Sequence, residues 1–157
     1  MGIVYKSPTN PFIPPPNPSP MKAKVEWTGN MNFLGKTETG AVVAMGPSPG
    51  PGEPADAASP MDLVLLGLGG CQAMDVVWIL DKKKIIFDKL WVELEAERAD
   101  DYPKVYTKIH MKFFAVGDVP LKALEQAVEL SHEKYCSVSV MLGHSVKITH
   151  EVEVREQ

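Results

Sequence analysis

Most of this chain alternates apolar and polar positions, but from Leu63 to Leu80 the only ionisable side chains are Cys71 and Asp75. Ser59 is a favourable helix N-cap, Pro60 suits the first helical turn, and Asp62 sets a carboxylate against the positive end of the helix dipole. The pattern predicts a helix over residues 59–80 that is apolar around its whole circumference and therefore buried. Its length approaches the roughly 20 residues of a membrane span. Asp75 and the glycines at 67, 69 and 70 oppose that reading, and the chain carries no second such run. The expectation is a core helix with a thiol at its middle.

Around this helix the period is two. Ala23, Val25 and Trp27 alternate with Lys22, Lys24 and Glu26 and lead into a Thr28-Gly29-Asn30 turn; residues 31–34 and 41–45 complete a small meander. Residues 46–58 are a Pro/Gly/Ala loop. Beyond the helix, Leu90, Val92, Leu94 and Ala96 form one dry strand face. After a turn at residues 100–103, Val105, Ile109, Met111 and Phe113 continue a second long strand, antiparallel to the first. Asp118 is placed to cap an amphipathic helix from near Pro120 to about Lys134, and Cys136 falls near the start of a further short helix. Val146 to Val154 alternate as a last strand.

That order predicts an α+β fold with antiparallel sheets packed on a central buried helix. One such sheet leaves part of an all-apolar helix uncovered, and an intertwined homodimer resolves this. Residues 1–20 hold seven of the 14 prolines and are expected to form an extended arm, native or not, outside a domain spanning 21–157.

Composition changes little. The 157 residues are 45% hydrophobic and 23% charged, with net charge −4, as in an ordinary single globular domain. Two arginines, Arg98 and Arg155, and scattered lysines give no nucleic-acid surface. Lys82, Lys83 and Lys84 follow the apolar helix, where cations suit the negative end of its dipole. The N-terminus lacks the apolar stretch of a secretory signal, so the expected location is cytoplasmic and disulfide staples are not expected.

The two cysteines, Cys71 and Cys136, therefore read either as small inert hydrophobes or as a redox pair. Low dielectric raises a thiol pKa, and Asp75, one turn from Cys71 on the same helix face, opposes its ionisation. Cys136 has the better local field if it opens a short helix.

The runs Ser59-Pro60-Met61-Asp62-Leu63, Gly67-Leu68-Gly69-Gly70-Cys71, Met74-Asp75-Val76-Val77 and Glu133-Lys134-Tyr135-Cys136-Ser137-Val138 resemble the OsmC/Ohr superfamily, in particular its OsmC-like branch. The resemblance covers about residues 22–156 and implies an OsmC-like fold in an intertwined α+β homodimer with active sites at the subunit interface. It also implies a thiol-dependent peroxidase acting on organic hydroperoxides, an antioxidant oxidoreductase of oxidative stress reset by an external dithiol reductant. Cys71 matches the peroxidatic cysteine, Cys136 the resolving one, and Asp62 the position of a glutamate that anchors a catalytic arginine. Nine residues separate Asp62 from Cys71, half a turn out of phase, so both can serve one site only if the helix bends or two subunits contribute. The family's arginine lies upstream of the helix, whereas no arginine precedes Arg98 here; Lys36 or another lysine would have to substitute without the bidentate fork.

Two other readings compete. A Cys–His hydrolase site would use His132 or His144, but His132 is expected on an exposed helix end. His110 and His150 lack metal-ligand spacing, so neither a zinc site nor a cofactor is expected, and His150 is expected to be a satisfied core residue. The remaining alternative is a non-enzymatic dimer that binds a small apolar ligand at the subunit interface, lined by the cysteines.

Overall fold

The structure is a computed structural model that describes residues 20–50 and 52–156, so all but the last residue of the proline arm lies outside the described residues. Its contacts group into two units that divide after Ser59.

The first unit is an antiparallel meander of β1 (Ala23–Gly29), β2 (Asn32–Thr37) and β3 (Val42–Met45). Asn30 takes a left-handed φ of 50° at the β1–β2 turn, a conformation that asparagine tolerates better than most residues. Register sets Val25 opposite Gly35 and Gly35 opposite Val43; Trp27 pairs with Phe33 and Phe33 with Met45. These two rows share one face, since side chains alternate with period two.

The second unit begins with α1 (Pro60–Lys82), close to the expected span. Two long strands follow, β4 (Lys89–Arg98) and β5 (Tyr106–Val116), paired antiparallel as expected. Then come α2 (Leu121–Leu130), a π-helical turn (Ser131–Tyr135), α3 (Ser137–Gly143) and β6 (Lys147–Arg155). The sheet order is β4-β5-β6, and β6 runs parallel to β5. The expected antiparallel pairing holds for β1–β2–β3 and β4–β5 and is corrected only at β6: a helical crossover returns the chain to its starting end, so the next strand enters parallel. Asp118 does not cap α2, which starts after Pro120 without a side-chain cap. A proline at that position fixes φ at −59° and leads into the helix without the cap.

Ile109, Met111, Phe113 and Ala115 of β5 are buried on one sheet face. With Leu68, Val76 and Leu80 of α1 and Leu124 and Val128 of α2 they form the core. Gly69 is what lets α1 lie close to β4, because a Cβ there would stand 2.9 Å from Leu94 Cδ1. On the other sheet face Trp91 stacks on Phe114 with centroids 4.8 Å apart, and the Arg155 guanidinium lies 4.4 Å from the Phe114 ring centre.

Among the described residues α1 is the one helix long and apolar enough to cross a membrane by length and composition. It packs on β4, α2, the π turn and α3. Only a stripe of it is buried, however, at positions 68, 69, 72, 75, 76, 79 and 80. Leu66 and Met74 remain 60% and 58% exposed, so the helix expected to be buried all round is half covered by its own chain.

Candidate functional site

The π turn builds the site. It widens the end of α2 by one residue, so that the Cys136 amide donates to the Ser131 carbonyl five residues back at 2.9 Å. Cys136 then leaves the helix in an extended conformation (φ −72°, ψ 102°) and becomes the N-cap of α3. Its Sγ accepts from the Ser139 amide at 3.3 Å, as a capping oxygen would. The expectation that Cys136 opens a short helix is met by this geometry.

Cys71 faces it from the middle of α1. The sulfurs of Cys71 and Cys136 and a carboxylate oxygen of Asp75 all lie within 4.8 Å of one another, and both thiols are free. Cys136 and Asp75 are buried, whereas Cys71 is half-buried and so is the thiol a reagent meets first. Burial pushes the Cys71 thiol up to about 11, assisted by its hydrogen bond with Cys136 and by the nearby Asp75; the Val138 amide acts in the opposite direction. Asp75 is itself held above the ordinary aspartate range by burial, against the Ser131 hydroxyl that donates to its Oδ2 at 2.8 Å.

Behind the sulfurs runs a polar chain. Gln72 Nε2 donates to Ser139 Oγ and stands 3.4 Å from His132 Nδ1. The His132 and His150 rings are 5.4 Å apart. This corrects two expectations. His132 is half-buried rather than solvated, because it sits in the π turn facing α1. His150 is not a satisfied core residue: its Nδ1 is buried without a hydrogen-bond partner among the described residues, as is Gln72 Oε1.

Asp62 is not part of this cluster. It sits exposed in the first turn of α1, nine residues or about 13 Å of helix from Cys71. Its surroundings contain a cation all the same. The Arg98 guanidinium lies 5.9 Å from the Tyr106 ring centre, and Tyr106 donates to the Met61 carbonyl at 2.8 Å. Burial and then Asp62 push the Tyr106 phenol up, while Arg98 pulls it down. Sequence reasoning does not find Asp75 and Ser139 as partners of the cysteines, nor Gln72 behind Ser139. The i, i+4 spacing of Cys71 and Asp75 was the visible signal, and it was read only as opposing thiolate formation.

The OsmC-like protein family matches residues 50–151. Protein YhfA of Escherichia coli is 41% identical over 135 residues, covering 85% of this chain and 98% of YhfA. A hypothetical protein from Aquifex aeolicus is 35% identical with a TM-score of 0.78, covering 88% of this chain and 98% of its own. An organic hydroperoxide resistance protein from Elizabethkingia anophelis shares the fold at a TM-score of 0.69 and 17% identity, covering 89% and 99%. A dithiol brought together by a π turn, on an α+β scaffold shared with these proteins, thus sits in a chain that belongs to the OsmC-like family.

Proposed function

We propose that this protein is a thiol-dependent peroxidase for organic hydroperoxides, acting as a homodimer. The observation that carries the reading is the pair of free sulfurs within 4.8 Å, one reachable and one sheltered. The Cys71 thiolate attacks the distal oxygen of ROOH and breaks the O–O bond; sulfur becomes a sulfenic acid and RO⁻ leaves as ROH after protonation. The Cys136 thiol condenses with Cys71–SOH, forming the disulfide and releasing water. An external dithiol then exchanges with that disulfide, is itself oxidised, and restores both thiols.

A thiol near 11 is mostly protonated at neutral pH, so the attacking form must be stabilised by a further positive group. A second copy of the chain supplies it in this proposal. Two uncovered apolar surfaces support such a copy: the exposed strip of α1 with Leu66 and Met74, and the meander face with Val25 and Trp27. Arg98, which with Asp62 acts on Tyr106, is the cation that the partner would bring to Cys71 in this proposal, in place of the lysine considered from sequence.

The test is hydroperoxide consumption with a dithiol reductant. Cys71→Ser is expected to abolish turnover, and Cys136→Ser, given hydroperoxide without reductant, to consume one equivalent and stop at the Cys71 sulfenic acid rather than a disulfide. Absence of any Cys71-dependent consumption would sink the peroxidase reading.

The raised Cys71 pKa favours one other reading, an apolar ligand pocket in which the thiols are lining. Iodoacetamide separates the two. A peroxidatic Cys71 labels rapidly near neutral pH and is blocked by prior hydroperoxide; a lining Cys71 labels slowly near neutral pH, faster as pH rises toward its raised pKa, and is not blocked by hydroperoxide.

A further inference from the structure

We propose that Cys71, Asp75 and Cys136 form a binding site for a divalent cation of the zinc class, held by two thiolates and one carboxylate with a fourth position open. The three ligand atoms lie within 4.8 Å of one another. Zinc–sulfur and zinc–oxygen bonds of about 2.3 and 2.1 Å in a tetrahedron place such atoms roughly 3.5–3.8 Å apart. Small side-chain rotations therefore close the set around an ion.

Two of the ligands come from one rigid helix. Cys71 and Asp75 are four residues apart and share a face of α1. The third is anchored from the opposite side, since the Ser139 amide fixes the Cys136 sulfur at the start of α3. The groups behind them are also in place: Ser131 orients Asp75 through Oδ2, and Gln72 holds Ser139. Soft sulfur ligands select zinc-like ions over magnesium and calcium. Half-buried Cys71 gives the entry side, and buried Cys136 and Asp75 form the floor.

On binding, the ion exchanges three of its water ligands for the two sulfurs and an Asp75 oxygen, forming two metal–sulfur bonds and one metal–oxygen bond; each thiol gives its proton to solvent and no oxidation state changes. A disulfide removes both thiolates, so ion binding and disulfide formation exclude each other. The ion is thereby a reversible cap on the dithiol. The i, i+4 spacing of Cys71 and Asp75 announces only two of the ligands, because the third lies 65 positions beyond the first.

Cobalt(II) added to the reduced protein without oxygen is the probe. One ion per protomer is expected, with near-ultraviolet sulfur-to-cobalt absorption of two thiolates and displacement by zinc. Cys136→Ser is expected to halve that absorption and weaken binding at least about tenfold, and Asp75→Asn to keep both sulfur contributions while losing about tenfold in affinity. Should Cys136→Ser fail to fold by circular dichroism, Cys71→Ser, at the half-exposed position, gives the same halving. Equal binding by the disulfide form, or unchanged absorption in the foldable serine variant, overturns the proposal. The readout involves no turnover, so its failure leaves the peroxidase reading standing and the reverse also holds.

Discussion

The two units of this chain use their apolar residues in opposite ways. In the helical unit Leu68, Leu80, Phe113 and Leu124 are all buried to less than 1% exposure. In the meander no side chain from Ala23 to Met45 is buried, and Val25, Trp27 and Val42 are 62%, 65% and 55% exposed. The register nonetheless sorts Val25, Trp27, Phe33, Val43 and Met45 onto one face. A three-stranded sheet whose coherent apolar face stays exposed among the described residues is the kind of surface that marks an interaction site. The helical unit has a core of its own; the meander has an exposed apolar face.

That contrast makes two substitutions unequal. Phe113→Ala removes a fully buried ring and is expected to cost about 3–5 kcal/mol, seen as a lower denaturation midpoint at every protein concentration. Trp27→Lys leaves the core untouched. Its expected effect is on association, weakened about tenfold or more, as read by light scattering across a dilution series. A Trp27→Lys protein that associates like wild type would break the comparison, as would a Phe113→Ala protein of unchanged midpoint.

The same contrast explains what could be read from sequence. Elements with a strong period were legible: α1 from its cap and apolar run, β4 and β5 from alternation, Cys136 at the head of α3 from its small polar surroundings. What was lost depends on partners distant along the chain. The direction of β6 follows from a crossover, and period two is the same for parallel and antiparallel strands. The π turn has no signature in Ser131–Tyr135, yet it moves His132 from solvent to the Gln72 side chain. The Asp75–Ser131 bond spans 56 positions, so Asp75 looked like a charge opposed to Cys71 rather than a buried, partnered member of its cluster.

Glycines on α1 sharpen the comparison at smaller scale. A Cβ at Gly67 or Gly70 meets nothing within 4 Å. Alanine at either is therefore expected to stabilise the isolated protomer by up to about 1 kcal/mol through helix propensity. If a second copy covers that face, the same methyl weakens association, and the two effects separate on dilution. Gly69→Ala gains the same propensity but displaces Leu94, at about 1–3 kcal/mol, for a net change near zero or mildly destabilising. Stabilisation by Gly70→Ala that persists undiminished at high concentration would show that this face is bare.

The smallest expected effect is electrostatic and falls on the helical unit alone. Burial first, and then the neighbouring His132, hold the His150 imidazole below the ordinary histidine range; His110 of β5 adds to this, while Glu129 of α2 and Glu133 of the π turn oppose it. The unfolded chain takes up that proton near pH 6.5, whereas the folded chain refuses it until lower pH. The associated stability is therefore complete above the ordinary histidine value and is lost as pH falls through it toward the folded-state value. His150→Gln should flatten that slope of melting temperature against pH, and parallel wild-type and variant curves would refute the assignment. In the meander the comparable group is Glu26, lowered by Lys24 at 2.9 Å on a surface open to solvent, where such a pair contributes little. Mild acid should thus loosen the helical unit more than the meander, because the buried imidazole is shifted by desolvation whereas the exposed Glu26–Lys24 pair is screened by solvent.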